Sequence, residues 1–348
     1  MFNIYTGRDV IIGKTSPGEI PLISHQNTEN GVTRRIEHIS NRRIFHYEET
    51  ISLADRGVFY ATTQNEDFHI GTRVKALVFK DGKKSENVRL FFSSAINKLQ
   101  ILFTDYSSNA TDKLPKYKIQ LPVLNGQIDY NFMESFIEEL EAERIEELEA
   151  YLSVSGLKDT QLTADELSAV NDLISKNIEF KPFCYDVIFD KIVQGRRLKK
   201  DDQIAGDIPF VMAGVTNTGV VGYISNPVAS FPKKSITIDI FGNAFYRNYD
   251  FGAGDDTGVY WSEKSDYSKE IMLFLTCSMG KSIENKFSYG KKLRSSQSFK
   301  FKMQLPVKNE QPDYELMSTL ISAIQKLVIA DVVKFSDEKI KATKQVVG

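Results

Sequence analysis

Arginine, lysine and tyrosine side chains gathered in polar loops are the groups of this sequence best suited to chemistry, and that chemistry is nucleic-acid binding. Arginine and lysine hold phosphates and read guanine edges, while tyrosine commonly contacts phosphates. We predict that eleven of these residues contact DNA: Arg34, Arg35, Arg42, Arg43, Lys233, Lys234, Arg247, Tyr289, Lys291, Lys292 and Arg294. For any single one of them, a solvated surface charge is the alternative.

The formal net charge of −2 hides an uneven distribution along the chain. From Asn131 to Ile178 there are twelve acidic and three basic residues, which gives this segment −9 and leaves +7 for the rest. Basic regions on either side of an acidic connector suit a surface that faces phosphates. A solvated helix face is the other interpretation of the acidic segment, and the asymmetry alone does not decide between them.

Motifs for catalysis or cofactor binding are incomplete in this sequence. Met279-Gly280-Lys281-Ser282 is similar to the end of a phosphate loop, but position 275 is Leu instead of Gly. The glycine-rich stretch Gly252–Gly258 lacks dinucleotide-binding spacing, so we interpret it as a surface loop. All four histidines lie in the first half, without metal-binding spacing. We therefore predict a non-catalytic chain with no cofactor or metal of its own.

Composition predicts an ordinary protein of two domains. The chain has 348 residues, of which 41% are hydrophobic and 26% charged. No uninterrupted run of about 18 apolar residues is present, and the N-terminus has no basic start, so we predict neither a membrane span nor a signal peptide. The two cysteines, Cys184 and Cys277, are far apart and are predicted to be buried, reduced thiols of a cytoplasmic protein.

An internal repeat organises the chain. Phe2–Arg8 matches Asp190–Arg196 at an offset of 188, and Gly18-Glu19-Ile20-Pro21 matches Gly206-Asp207-Ile208-Pro209 at the same offset. The offset becomes 185 and then 184, where Gln120–Val123 matches Gln304–Val307. Because the order is kept throughout, we interpret the chain as a duplicated module, each copy followed by a helix.

Each module reads as mixed α and β. The predicted strands are Ile20–Ser24, Thr50–Leu53, Val74–Phe79 and Lys116–Leu121 in copy one, and Ile208–Met212, Ser235–Ile240 and Phe299–Leu305 in copy two. Glycine turns at Asn30-Gly31, Thr218-Gly219, Gly57 and Gly242 separate them, and Pro122 or Pro306 is predicted to end the last strand. Leu90–Leu102 and Glu270–Ser282 have helical spacing.

Two long amphipathic helices follow the modules. Asp129 and Asp313 are placed to cap them, and a second helix after the first module begins with a capping box at Thr163-Ala164-Asp165-Glu166. Their apolar stripes predict antiparallel packing as a coiled coil about 35 Å long. We thus expect an α+β fold divided as 1–128 (first module), 129–178 (helical spacer), 179–312 (second module) and 313–348 (C-terminal spacer helix).

The second copy resembles the target recognition domain of restriction–modification specificity subunits. The resemblance lies in Phe189–Leu198, Gly206–Val211, Tyr289–Arg294 and Gln304–Val307, and the first copy repeats it in weaker form. Leu-Pro-Val followed by Asp-Tyr-x-x-Met looks closest to type I and type IIB or IIG-like specificity polypeptides. Nearly the whole chain is covered, and the tandem arrangement with helical spacers is more specific than any single motif.

The resemblance implies a chain that chooses a DNA site. Each module would read one half of a split double-stranded target, while the helices fix the gap and dock methyltransferase and endonuclease subunits. Catalysis, S-adenosylmethionine, Mg and ATP would belong to those partners. Two other classes of function remain open at this point: a protein–protein scaffold that has lost DNA binding, and a nuclease or methyltransferase in its own right.

The first copy departs from the second at its start. Copy two has a strand-like lead-in, Phe180–Ile188, before its Gly195 motif, whereas Met1 already aligns with Phe189. Either the first module lacks an edge strand, or the chain once followed an upstream segment, such as a fused catalytic region.

Overall fold

The computed structural model describes residues 1–103, 113–226 and 230–347, with side chains to residue 341. The chain divides into two compact units: one is Met1–Glu149 with the C-terminal residues from Ala342, and the other is Ala150–Lys341. Helix α2 (Tyr130–Val154) crosses the boundary between them. These units differ in their bounds from the four predicted segments, because the boundaries between the units fall within the long helices themselves.

The first unit contains nine strands among its described residues and one helix before α2. They are β1 (Phe2–Thr6), β2 (Pro17–Ile23), β3 (Val32–Ile36), β4 (Thr50–Arg56), β5 (Val58–Thr62), β6 (His69–Ile70), β7 (Val74–Phe79), α1 (Glu86–Asn97), β8 (Val123–Leu124) and β9 (Gln127–Ile128). Strands β1-β7-β4-β5 form an antiparallel sheet, and β3-β2-β6 form a small sheet in which β2 and β6 are parallel. Helix α1 packs on the larger sheet, burying Phe92 against Ile51, Leu53 and Phe59.

The second unit repeats this topology. Its elements are α3 (Ala164–Ile174), β10 (Phe180–Cys184), α4 (Tyr185–Ile188), β11 (Lys191–Gln194), β12 (Ala205–Val211), β13 (Val220–Ile224), β14 (Ser230–Phe231), β15 (Ser235–Asp239), β16 (Ala244–Arg247), β17 (Phe251–Ala253), β18 (Thr257–Trp261), α5 (Lys269–Ile283), β19 (Lys302–Lys308), β20 (Gln311–Pro312) and α6 (Tyr314–Val347). The sheet order β11-β18-β15-β16 is that of β1-β7-β4-β5, and β13-β12-β17 is that of β3-β2-β6. The predicted duplication is therefore confirmed as two modules with the same arrangement of strands.

Local signals explain several element boundaries. Asp129 accepts from the backbone N–H of Phe132 at 2.9 Å, and Asp313 accepts from that of Leu316 at 2.9 Å, so both predicted caps are confirmed. Gly31 and Gly219 turn the chain between β2 and β3 and between β12 and β13, with φ of 82° and 84°. Gly57 joins β4 to β5 in a hairpin with φ of 79°.

Three predictions about the modules are wrong. Lys116–Leu121 is not a strand in the part of the chain that the structure describes, whereas its counterpart lies in β19, which pairs with β10. Pro306 does not end a strand but lies within β19, opposite Phe180. Gly252–Gly258 is not a surface loop; its three glycines are buried, Gly252 in β17, Gly258 in β18 and Gly254 between them, and Gly252 leaves room for the Phe210 ring.

Both cysteines are free thiols, but the prediction that they are buried is wrong. Cys277 is exposed and Cys184 is half-buried, because helix α5 turns Cys277 away from the core while Met272, Leu275 and Met279 point into it.

Helix α6 is long and apolar enough, between Tyr314 and Lys341, to cross a membrane by length and composition alone. Counting uninterrupted apolar residues misses this stretch because Ser322 and Lys326 interrupt it. In the structure Met317, Leu320 and Ala323 are fully buried. One face of the helix therefore packs on protein within the second unit.

Glu166 fastens α3 to α6. It completes the predicted capping box with Thr163, accepts a hydrogen bond from Ser322 Oγ at 2.6 Å, and pairs with Lys326 Nζ at 3.1 Å. The Ser322 hydrogen bond and the backbone N–H of Thr163 lower the pKa of Glu166 from 4.5 to about 2, with Lys326 helping. The helix pair thus depends on an ionised carboxylate.

We expect Glu166→Ala to destabilise the second unit by about 2 kcal/mol, because the cap and the interhelical hydrogen bonds are lost together. A folded pKa below the unfolded value means that this stabilisation is complete above pH 4.5 and is lost as the pH falls towards 2. Urea unfolding at pH 7 and pH 3 measures both effects. Asp165→Asn, an exposed change in the same helical turn, is the control, and an equal loss in both variants would contradict the assignment.

Candidate nucleic-acid interface

The repeated glycines Gly7 and Gly195 set the geometry of one loop in each module. Gly7 donates its N–H to Val74 O at 2.8 Å, and Gly195 donates to Thr257 O at 2.8 Å. A Cβ on Gly7 would overlap the carbonyl oxygen of Gly71, and one on Gly195 would overlap that of Gly254. Only glycine fits this close approach, after which the chain leaves the sheet as residues 8–16 or 196–204, here called the post-glycine loops.

In the first module, arginines bracket the post-glycine loop. Arg34 Nη1 donates to Ile12 O at 3.2 Å, and Arg42 Nη2 donates to Asp9 O at 3.2 Å. The Arg43 guanidinium lies 4.2 Å from the centre of the ring of Tyr5, a residue of β1, and forms a cation–π contact with it. Three of the four predicted residues of this module are therefore brought together at one end of its sheet.

Two adjoining cavities lie beside this cluster and together form a groove. Their volumes are about 460 and 530 Å³, and both are lined by Asn41 and Arg42. The first is also lined by Arg8 and Arg43, and the second by Lys14. The walls of the first cavity are cationic, whereas Asp9 and Glu37 accompany the two basic residues of the second. A cationic wall at the end of a sheet matches what phosphate binding and base contact require.

His69 holds the backbone of the segment that contains Arg42 and Arg43. The ring is 1% exposed, its Nδ1 donates to Arg43 O at 2.9 Å, and its Nε2 accepts from the backbone N–H of Ile39 at 3.3 Å. This arrangement requires neutral histidine. Burial lowers the pKa of His69, partly offset by the Arg43 carbonyl.

We expect the first module to lose stability as the pH falls below 6.5, the unperturbed pKa of His69. The folded pKa is the lower one, so the unfolded chain takes up the proton first, and protonation removes the acceptor of the Ile39 N–H. The loss grows as the pH falls from the unfolded pKa towards the folded one. Urea unfolding of wild type and His69→Gln between pH 7.5 and 5.5 measures it. His25→Gln, an exposed control, should keep the wild-type pH profile.

Arg35 lies apart from this groove. It neighbours Arg34 on β3, so its side chain leaves the opposite face of the strand, where it pairs with Glu66 and donates to Glu19 O at 2.7 Å. The hydrogen bond from Arg35 lowers the pKa of the Glu66 carboxyl. The charge of Arg35 is thus balanced by Glu66 within the module.

In the second module, a hairpin at Ser288–Lys291 presents the aromatic and basic residues of the predicted set. Tyr289 is 82% exposed, and Lys292 Nζ lies 4.7 Å from the centre of its ring. Lys291 is exposed beside them. Arg294 Nη1 donates to Asp255 O at 2.5 Å, which brings it to the same end of the sheet as Arg196, whose N–H donates to Ala253 O at 2.9 Å.

Lys233 and Lys234 lie at the other end of that sheet. They come just before the start of β15. The opposite end of β15, at Asp239, pairs with Thr257 and lies next to the post-glycine loop. Lys234 forms an ion pair with Asp266, and the backbone N–H of Lys233 donates to Asp250 at 2.8 Å. The structure therefore separates these lysines from Arg294 and the hairpin, instead of bringing the second module's candidates together.

Arg247 corrects the prediction of a DNA contact at that position. Its side chain is 1% exposed, and it donates from Nε to Thr237 Oγ1 at 3.1 Å and from Nη1 to Thr218 Oγ1 at 3.1 Å. Burial lowers the pKa of its guanidinium, although a hydrogen bond to Tyr249 opposes this. Arg247 thus connects β15 with the turn that precedes β13, and its buried guanidinium is not accessible to a phosphate.

Arg8 and Arg196 are candidate site residues that the prediction missed. Both are exposed and both follow the repeated glycine at the offset of 188. Arg197, Lys199 and Lys200 are also exposed in the second post-glycine loop. The sequence contains a signal for them, because a basic residue that occupies the same position in both copies of a repeat is more informative than a run of charges. Within the described residues, no cluster of three His, Cys, Asp or Glu could hold a metal ion.

Comparison with known proteins agrees with this architecture. The family model for the type I restriction modification DNA specificity domain matches residues 1–150 and 177–334. The type II restriction enzyme BgcI specificity subunit S.BcgI from Heyndrickxia coagulans is 25% identical over 335 residues, which cover 92% of this chain and 93% of that protein. The S subunit of the type I restriction–modification system of M. genitalium has a similar fold, with a TM-score of 0.58 at 14% identity, covering 99% of this chain and 91% of that one.

The family model matches once in each half of the chain, and each match contains one copy of the repeated module. The chain therefore belongs to the family of restriction–modification DNA specificity subunits, with two target recognition domains.

Proposed function

We propose that the chain is the non-catalytic subunit that directs methyltransferase and endonuclease partners to a bipartite DNA target. The observation that carries this proposal is the repetition of one module with a basic post-glycine loop in each copy. Two copies of a reader suit a target of two half-sites, one for each module. S-adenosylmethionine, Mg and ATP are then held by the partners, and the complex acts in the cytoplasm, where the DNA is.

The long helices are proposed to set the gap between the half-sites. Helix α2 has 25 residues and α6 has 34, each led by a capped turn after its module. Antiparallel packing of their apolar stripes as a coiled coil would make a spacer about 35 Å long, close to one turn of B-DNA. In this scheme the segments are 1–128, 129–178, 179–312 and 313–348, with the helical segments also docking the methyltransferase.

Selection from a library of random DNA duplexes tests the function. The chain, alone and with its methyltransferase subunit, is expected to enrich a motif of two short blocks separated by a fixed number of unread base pairs. Affinity should fall steeply with salt, because each phosphate contact releases a counterion. Enrichment of no motif in either condition would contradict the proposal.

A scaffold that has lost DNA binding is the second candidate. The ion pairs that occupy Arg35 and Lys234, together with the net charge of −2, favour it. The salt dependence separates the two candidates, since a scaffold would show absent or salt-insensitive binding to DNA.

A further inference from the structure

Tyr185 fills a specific space in the second module. It is fully buried where β10 passes into α4, and its ring meets the Tyr260 and Phe301 rings edge-on, each at a centroid distance of 5.9 Å. Its hydroxyl contacts Ser282 Oγ at 2.6 Å and Met279 O at 3.2 Å. Two aromatic rings thus flank the Tyr185 ring, and two residues of α5 hold its hydroxyl.

The same four positions line a cavity in the first module. Matching hydrogen bonds set the alignment: Gly7 to Val74 corresponds to Gly195 to Thr257, and the Ser85 helix cap corresponds to that of Ser268. The counterparts of Tyr260, Met279, Ser282 and Phe301 are Leu77, Ile96, Leu99 and Tyr117. All four line one largely apolar cavity of about 340 Å³. It occupies the place of the Tyr185 ring.

Among the described residues, an unpaired segment of the first module, Tyr117–Leu121, runs beside this cavity. In the second module, β10 pairs with Lys302–Pro306 of β19, and Met303 and Leu305 are fully buried. Their counterparts Ile119 and Leu121 are only half-buried, and they alternate with exposed Lys118 and Gln120 as residues of a strand do. Within the described chain, Tyr117–Leu121 pairs with no strand, so its edge is free to accept one.

The second module also indicates the chemistry of a fitting occupant. After the strand comes an aromatic residue, then Asp186, which pairs with Lys300 Nζ at 2.6 Å, and then Ile188, which is 3% exposed. Lys116 stands at the position of Lys300 and offers the same charge. The site therefore fits an extended segment whose last four residues are, in order, an aromatic residue, an acidic residue, any residue and an aliphatic residue. The C-terminal residues 342–348 contain no aromatic residue and do not fit.

We propose that the first module binds such a segment from its methyltransferase partner, which adds a strand to the edge at Tyr117–Leu121 and places an aromatic ring in the cavity. The mode is strand addition, in which backbone hydrogen bonds give affinity and a side-chain pocket gives specificity. This inference rests on the proposed function, since it assigns a docking site to the partner of a specificity subunit.

A peptide with the sequence of residues 179–189, labelled with a fluorophore and titrated into the full chain, probes the site. We expect saturable binding that weakens at least about tenfold when Tyr185 of the peptide is replaced by Ala, while replacement of Val187, which is 68% exposed in the second module, has little effect. In the full chain, Leu99→Trp should abolish binding by filling the cavity. Leu102→Trp, outside the cavity, is the matched control. Equal binding by all variants would overturn the proposal.

Crosslinking then identifies the occupant. A photoreactive benzoylphenylalanine at Ile119 of the full chain, assembled with the methyltransferase subunit, is expected to crosslink to a partner segment containing the aromatic–acidic–any–aliphatic pattern. Crosslinks to a second copy, to residues 104–112 of the same chain or to nothing in an assembled complex would overturn the inference. The DNA selection described above is unaffected by that result, so a failure here is distinguishable from a failure of the proposed function.

Discussion

Gly195→Ala is expected to destabilise the second module by about 3 kcal/mol or more, and Gly7→Ala is expected to do the same to the first. Neither glycine has a positive φ, so the cause is space, not backbone conformation. The new Cβ would overlap the carbonyl oxygen of Gly254 or Gly71. The two backbone segments would have to separate, which breaks the hydrogen bonds from Gly195 to Thr257 and from Arg196 to Ala253.

Urea unfolding of each variant measures this loss, and DNA affinity should fall with it because the post-glycine loop starts at the displaced residue. Gly13→Ala and Gly290→Ala are the matched controls, since no atom lies within 4 Å of a Cβ at either position and neither has a positive φ. We expect both controls to stay within about 0.5 kcal/mol of wild type. A loss below about 1 kcal/mol in Gly195→Ala would contradict the steric argument.

The sequence predicts those elements whose signals are local. Capping by Asp129, Thr163 and Asp313 depends on a few residues at a helix start, and the turns at Gly31 and Gly219 depend on a single φ. The repeat strengthens each of them, because a weak signal in one copy is supported by its counterpart. The two matching sheet orders then follow from one set of strand signals read twice.

Elements that depend on a distant partner were not predictable in the same way. Lys116–Leu121 and Phe299–Leu305 alternate alike, yet only the second becomes a strand, because β10 supplies its partner. Arg247 carries the same charge as Arg42, and only the fold shows that Thr218 and Thr237 surround it. The glycines of Gly252–Gly258 indicate either a loop or close packing, and the neighbouring Phe210 ring decides for packing.

The candidate interface shows the same division. Arg34, Arg42 and Arg43 converge because residues 8–16 lie between them, whereas Lys233 and Lys234 share only composition with Arg294. Composition therefore identifies candidate residues for DNA binding, and the topology of the sheet selects those that lie close enough to act together.

The double change Arg42→Ala and Arg43→Ala is expected to weaken binding to the selected DNA about 100-fold at low salt, through one half-site only. Each arginine that contacts a base or phosphate contributes about 1–3 kcal/mol, and each lost phosphate contact lowers the slope of log affinity against log salt by about one. Arg196→Ala with Arg294→Ala is expected to act in the same way on the other half-site. Exchange of residues 34–43 for those of a related chain should change the bases read in one block and leave the gap unchanged.

Arg35→Ala is the matched control, because Arg35 lies on the opposite face of β3 from Arg34 and is paired with Glu66. Binding should change less than about threefold, the order expected for removal of an exposed ion pair away from the DNA. Titration of DNAs that carry each half-site alone separates the two modules. If Arg42→Ala with Arg43→Ala weakens both half-sites equally, the arginines act through general charge, and one module does not read one half. If Arg35→Ala weakens binding as strongly as the double change, the groove along residues 8–16 is not the surface that meets DNA.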